Sequence, residues 1–174
     1  MGLKKSRNLI KWLFYTVFAL LLFCFQSAPV RFGILDSVIF LLPFAVAISC
    51  YESIVPSAVI ASVLGLFWDY SAQRVFGFHA FMLCILCVAV SLVMKFYVRP
   101  VFVSVIVAIT ACTMVYGLSD FFFFYVLRGY EGAASVFTSQ YLPAFLKTSI
   151  FGAVTAFITE KIYKISPRKA KFDE

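Results

Sequence analysis

The sequence predicts an all-α, polytopic membrane protein, folded as one compact bundle of six transmembrane helices over residues 1–174. Hydrophobic residues make up 63% of the chain and charged residues 13%, whereas a soluble domain is about half apolar and a quarter charged. Because a crossing needs about 20 residues, there is room for about six crossings and no sizeable extramembrane domain. Any function must therefore lie in the bundle or at its rims.

Six apolar runs give the predicted spans, and the connections between them are short. In chain order the spans are 8–28, 34–50, 54–68, 78–94, 101–127 and 142–163. The third is expected to be noticeably short, and Pro43 is expected to kink the second from within. The longest connection, 128–141, has loop composition with room for a short interfacial helix. Basic segments, 1–11 and 164–174, flank the bundle.

The distribution of basic residues predicts the orientation of the bundle. Eleven lysines and arginines lie in the terminal segments and even-numbered connections: Lys4, Lys5, Arg7, Lys11, Lys95, Arg99, Lys161, Lys164, Arg168, Lys169 and Lys171. The other connections contain three: Arg31, Arg74 and Arg128. Since basic residues concentrate in cytoplasmic loops, both termini are predicted to be cytoplasmic. The net charge of +7 then reflects topology and anionic lipid, and no nucleic-acid partner is predicted.

Two stripes of small residues indicate where helices pack closely. The third span contains Ser57, Ala61 and Gly65 at intervals of four, and the sixth contains Thr148, Gly152 and Ala156. Small residues at this spacing let a neighbouring backbone approach. Both stripes are therefore predicted to be helix-packing positions.

Two charges lie deep in the predicted spans and are expected to form an intramembrane ion pair. At 1.5 Å per residue, Asp120 lies about 10 Å and Lys147 about 8 Å below the same outer surface. A contact with a substrate or a partner is the alternative to a structural pair. Glu160 and Lys164, four residues apart, are predicted to form a solvated pair at the other surface.

A polar cluster is also predicted at the outer rim, near the connection between the third and fourth spans. Its members are Arg31, Asp36, Asp69, Arg74 and His79. Recognised enzyme motifs are absent from the sequence, including H-E-x-x-H, G-x-S-x-G and phosphate-binding glycine loops. The five cysteines fall in apolar runs and resemble small core residues. The protein is accordingly predicted not to be an enzyme and to use no cofactor or metal.

The stretch that follows the third span resembles the rod shape-determining protein MreD family. The pattern G-L-x-x-D, followed by G-x-x-A, is formed by Gly65, Leu66, Asp69, Gly77 and Ala80, after a Pro-Ser entry at residues 56–57. The resemblance implies a non-enzymatic scaffold of the cell-wall elongation machinery in the bacterial inner membrane. It implies binding to MreC, through small-residue stripes and exposed apolar helix faces, and indirect association with MreB, RodA and a penicillin-binding transpeptidase. Whether two copies form a homodimer is left open.

An alternative function is suggested by a second class of membrane proteins with the same number of spans. MreD-like proteins are similar in span number and small-residue packing to the substrate-binding subunits of energy-coupling-factor vitamin transporters. Such a subunit needs several polar groups converging in the outer half of the bundle, and four are apparent: Asp69, His79, Asp120 and Lys147. A permease acting alone would need polar residues along the full length of the spans, and these are too few.

Overall fold

A computed structural model describes residues 2–27, 38–72, 75–130 and 132–165, and within them the chain is helical without strands. The helices are α1 (Gly2–Ser27), α2 (Leu41–Tyr51), α3 (Ile54–Ala72), α4 (Phe78–Phe96), α5 (Phe102–Phe121), the single turn α6 (Ala133–Val136) and α7 (Leu142–Ile165). Wider π-type turns, Phe122–Val126 and Phe137–Tyr141, extend α5 and join α6 to α7. The predicted all-α bundle is confirmed.

Five of these helical segments are long and apolar enough to cross a membrane. They are Ser6–Ser27, Ile54–Ala72, Phe78–Phe96, Phe102–Val126 and Ala134–Ile165. The chain is therefore a multi-pass membrane protein. The prediction of a short third span is wrong, because α3 has 19 residues and continues through Asp69 to Ala72.

The short helix is α2, and it lies at the centre of the bundle. Its 11 residues are all buried, and they contact α1, α3, α4, α5 and α7. At 1.5 Å per residue α2 is about 16 Å long, roughly half of a hydrocarbon core. The predicted second span began at residue 34, but residues 38–40 are not helical and 34–37 lie outside the described residues.

Local chemistry explains why α2 starts late. Pro43 is the third residue of the helix, where its missing N–H costs nothing because first-turn amides have no intrahelical partner. The predicted kink within a span is therefore wrong. Gln26 of α1 accepts the N–H groups of Phe40 and Leu41 on its side-chain oxygen, both at 3.0 Å. Neighbouring helices thus satisfy the buried start of α2.

The described ends of α1 and α7 lie at one face of the bundle. The Arg7 Nε donates a hydrogen bond to the Ile165 carbonyl oxygen at 2.9 Å. We call this end, marked by Arg7, Lys11, Glu52, Phe96 and Ile165, the terminal face. The opposite end, marked by Ser27, Ala72, Phe78, Asp120 and Leu142, is the far face. The side of the membrane to which each face belongs stays a prediction.

Candidate functional site

The connection between α3 and α4 is built around one buried carboxylate at the far face. Asp69 is 3% exposed. Its two oxygens accept the backbone N–H groups of Gly77 and His79, both at 3.0 Å, and of Ala80 at 3.2 Å. His79 also places Nδ1 2.7 Å from Asp69 Oδ1. The carboxylate thereby satisfies the first amides of α4, where the positive end of the helix dipole favours an anion.

Two glycines make this arrangement possible. Gly77, the residue before α4, has a φ of +93°, which a residue with a side chain adopts at a cost. Gly65 lies one turn before Asp69, and a Cβ there would lie 2.3 Å from the Ala80 Cα. The backbones of α3 and α4 therefore touch at this point, and these two helices make the most extensive contact in the bundle.

The remaining residues of the motif and stripe fall on two sides of α3. Ser57 and Ala61 are 1% exposed, on the buried side with Gly65. Leu66 is 43% exposed and faces away from the bundle. Four of the five motif residues thus build the α3–α4 hairpin, and the fifth, Leu66, belongs to its outer surface.

The second stripe packs inside the bundle at the α5–α7 and α2–α7 contacts. A Cβ at Gly152 would lie 2.6 Å from Ile109 Cγ2 of α5. Thr148 Oγ1 accepts the N–H of Ile39 at 3.1 Å, which supplies a further partner near the start of α2. Ala156 is fully buried. All six stripe residues are therefore buried, and none is presented to the surface.

A cavity of about 380 Å³ opens beside the hairpin at the far face. It lies between α3, α4, α5 and the start of α7. Its lining consists of Ile39, Trp68, Ala72, His79, Tyr116, Gly117, Asp120, Tyr125, Gln140, Tyr141, Ala144 and Phe145. Trp68, His79, Tyr116 and Asp120 are buried, whereas Gln140 is exposed. The cavity is therefore a pocket with a buried polar floor.

Neighbouring groups fix the floor of this cavity. The Tyr141 hydroxyl donates to Asp120 Oδ2 at 2.5 Å. The rings of Trp68 and His79 lie 4.6 Å apart between centroids. A Cβ at Gly117 would lie 2.0 Å from a ring carbon of Phe145, so the glycine is what allows that ring to lie against α5.

The predicted polar groups meet in part. Asp69 and His79 are in direct contact, and His79 and Asp120 line the same cavity. Lys147 is half-buried on α7, and it is not an isolated charge. Its pairing with Asp120 stays a prediction. Three predicted members of the rim cluster, at positions 31, 36 and 74, lie outside the described residues.

The terminal face holds an ion pair that the sequence did not predict. Lys11 Nζ of α1 lies 2.7 Å from Glu52 Oε1 after α2, and both side chains are buried. The Lys11 ammonium also lies 5.6 Å from the centre of the Tyr163 ring. The sequence signal that could have indicated this pair is that both charges fall at ends of predicted spans, on the same predicted side of the membrane. The predicted pair of Glu160 and Lys164 is confirmed, at 2.5 Å.

Buried hydroxyl groups surround the Lys11–Glu52 pair. Among the described residues, the hydroxyls of Tyr15 and Tyr51 have no hydrogen-bond partner. The two tyrosines are 3% and 9% exposed. Burial, followed by the nearby Glu160 carboxylate, raises the pKa of the Tyr51 phenol. The hydroxyl therefore stays protonated at neutral pH and has an unused donor.

An apolar cleft of about 180 Å³ separates α1 from α3 at mid-depth. Its lining consists of Trp12, Tyr15, Thr16, Ala19, Leu20, Phe44, Ile48, Val59, Ile60, Val63, Leu64 and Phe67. Phe44 and Ile48 of α2 form its buried floor, and Leu20, Val59 and Val63 are exposed at its edges. The cleft thus opens sideways, toward the lipid.

The residues 2–27, 38–72, 75–130 and 132–165 contain no group of three His, Cys, Asp or Glu side chains that could hold a metal ion. The five cysteines are free thiols.

A comparison with protein-family models gives a match that covers most of the chain. The model described as rod shape-determining protein MreD matches residues 6–164, a range that contains the α3–α4 hairpin, the cavity and the cleft. Comparisons with curated proteins and with solved structures return no match. The family is one of shape-determining membrane proteins associated with the MreBCD system. The chain therefore belongs to the rod shape-determining protein MreD family.

Proposed function

We propose that this protein is a non-enzymatic inner-membrane scaffold of the cell-wall elongation machinery, and that it holds the single transmembrane helix of MreC in the cleft between α1 and α3. Family membership supplies the role in rod shape determination. The observation that carries the docking site is the apolar cleft. MreB, RodA and a penicillin-binding transpeptidase associate through MreC in this proposal.

The small-residue stripes are not available to a partner, because both are buried inside the bundle. Membrane helices associate through close packing, since lipid chains are as apolar as the side chains they would replace. A surface that binds a partner helix better than it binds lipid must therefore have a shape that the side chains of the partner fit. The cleft between α1 and α3 has that shape, and side chains of a partner helix can fill it.

The packing of α1 supports the same location. Of the five long helices, α1 is the least buried within the bundle. The buried Lys11–Glu52 pair holds its first half, and Gln26 holds its last turn through the N–H groups at the start of α2. The helix is thus fixed at both ends and open along its middle, where the cleft lies.

The experiment is copurification with MreC in mild detergent after filling the cleft. Val63→Trp places a bulky ring at the edge of the cleft, where Val63 is 45% exposed. The matched control is Val107→Trp on α5, which is 62% exposed and does not line the cleft. We expect at least a tenfold loss of MreC with the first variant and normal recovery with the second. Equal recovery with both variants would exclude the cleft.

Self-association is tested with the same variants. If the cleft instead holds a second copy of this chain, Val63→Trp changes the mass of the purified complex in the absence of MreC, and Val107→Trp does not.

The cytoplasmic location of both termini is tested with a cysteine introduced at Arg168. We expect an impermeant reagent added outside the cell not to label this cysteine. Labelling would mean that the bundle has the opposite orientation in the membrane.

The far-face cavity supports the second candidate, a binding subunit of an energy-coupling-factor-type transporter. Its floor brings together the buried side chains of His79 and Asp120, two of the polar groups that such a site needs. A scaffold that acts only through helix docking leaves this cavity without a use.

A further inference from the structure

We propose that the far-face cavity binds a small organic cation, an ammonium compound, through Asp120 and the surrounding aromatic rings. This site is separate from the cleft between α1 and α3, and it does not depend on what that cleft binds. The argument rests on the size of the cavity, its charge and its aromatic walls.

The cavity has the size of a small-molecule site and a buried floor. Its volume of about 380 Å³ lies toward the lower end of the range of about 300 to 1,000 Å³ that is usual for ligand pockets. Trp68, Tyr116 and Asp120 form a buried floor, and Gln140 stands at the exposed mouth. A ligand would enter from the far face, past Gln140, and reach this buried floor.

The charge of the described walls favours a cation. Asp120 lines the cavity, and Asp69 lies directly behind the lining residue His79. Lysine and arginine are absent from the described lining residues. The described lining therefore offers a carboxylate to a cation and no basic side chain to an anion.

The aromatic walls favour an organic cation over a metal ion. Trp68 and Tyr116 pack together in the floor, with ring centres 5.0 Å apart. Tyr141 and Phe145 form a wall beside it, with ring centres 6.2 Å apart. Ring faces attract ammonium groups within about 6 Å of their centres, whereas they offer no ligand atoms to a hard metal cation. A carboxylate among aromatic rings is the usual arrangement for recognising an amine.

The site is also held in place before any ligand arrives. Asp69 engages the Nδ1 of His79, which fixes the plane of the ring. The Tyr141 hydroxyl fixes the orientation of the Asp120 carboxylate. Gly117 leaves the space that Phe145 fills. A preorganised site spends less binding energy on ordering its own side chains.

The test uses Trp68 as a reporter. The chain has two tryptophans, so Trp12→Phe leaves Trp68 as the single fluorophore, and Trp68 lines the cavity. Purified protein in detergent is titrated with choline, with its uncharged isostere 3,3-dimethylbutan-1-ol and with sodium chloride. We expect a saturable change in fluorescence with choline, and at least tenfold weaker binding of the isostere. A response that does not saturate, or equal binding of the two compounds, overturns the proposal.

Variants locate the response at the carboxylate. In the Trp12→Phe background, Asp120→Asn should weaken choline binding at least tenfold. Glu160→Gln, which removes a carboxylate at the terminal face, should leave it unchanged. If Asp120→Asn does not yield folded protein, Gln140→Lys provides the same test from the exposed mouth, because a positive charge there should also weaken binding. Unchanged binding in the variant that folds contradicts the proposal.

Two sources of an ammonium group can be separated with the same protein. In nanodiscs, phosphatidylethanolamine should shift the Trp68 emission and compete with choline if the natural ligand is a lipid headgroup. Equal Trp68 emission and equal choline affinity in phosphatidylethanolamine and phosphatidylglycerol nanodiscs would assign the site to a free amine. Both results keep a cation in the cavity, and with either lipid Asp120→Asn should weaken choline binding at least tenfold.

Discussion

The two faces of the bundle each bury a carboxylate, and the two are stabilised in different ways. At the far face, Asp69 accepts three backbone N–H groups and contacts His79, all from residues eight to eleven positions later. At the terminal face, Glu52 accepts one ammonium group, from a lysine 41 positions earlier. A site stabilised locally appears as a motif in the sequence, whereas one stabilised at long range does not.

The difference has an energetic consequence. The partners of Asp69 belong mainly to the backbone, so they remain in place whatever side chains surround them. Glu52 depends on one flexible lysine, and the nearby Tyr15 and Tyr51 hydroxyls have no partner among the described residues. We therefore expect the far face to tolerate loss of its carboxylate less well than the terminal face does.

The largest effect is expected from Asp69→Ala. The change leaves three helix-start amides and the His79 ring without their acceptor, at a cost of about 3–5 kcal/mol in unfolding free energy. Unfolding by sodium dodecyl sulfate in mixed micelles measures it. Asp69→Asn, which keeps one acceptor oxygen, should lose less. A stability of Asp69→Ala equal to that of the wild type would mean that the carboxylate does not hold the hairpin.

A smaller loss is expected when one member of the Lys11–Glu52 pair is removed. Lys11→Met should cost about 3 kcal/mol, because it leaves a buried carboxylate uncompensated. The double change Lys11→Met with Glu52→Gln should cost less than the sum of the single changes, since no buried charge then remains. Purely additive costs in the same unfolding assay would show that the two side chains do not interact.

Packing at the hairpin gives an effect of about 1–3 kcal/mol. Gly65→Leu forces apart the backbones of α3 and α4, because even its Cβ would lie 2.3 Å from the Ala80 Cα. Leu66→Phe is the matched control on the next residue, which is 43% exposed. Thermal stability in detergent should fall for the first and stay near wild type for the second. A similar fall for both variants would argue against a specific contact at Gly65.

The sequence was sufficient for the parts of the fold that depend on composition and short-range pattern. Apolar runs gave the helices, and the spacing of Glu160 and Lys164 gave their pair. The start of α2 could not be predicted, because it depends on side chains of two other helices, Gln26 of α1 and Thr148 of α7. The same reason applies to the cavity. Its floor joins residues from α3, α4, α5 and α7, and spacing along the chain does not show which of them meet.

The smallest effect is expected from a tyrosine whose hydroxyl lacks a hydrogen-bond partner among the described residues. This variant gives the most direct comparison of the two faces. Tyr51→Phe removes a buried hydroxyl without a partner among the described residues and keeps the ring stacked on Tyr163, at 5.0 Å between centroids.

Since an unsatisfied buried group is itself a cost, Tyr51→Phe should leave stability unchanged or raise it by about 1 kcal/mol. The control is Tyr141→Phe at the far face, which loses a hydrogen bond to the Asp120 carboxylate and should cost about 1.5–3 kcal/mol. Both variants are compared by sodium dodecyl sulfate unfolding. If Tyr51→Phe costs as much as Tyr141→Phe, the Tyr51 hydroxyl does have a partner, and the terminal face is as fully satisfied as the far face.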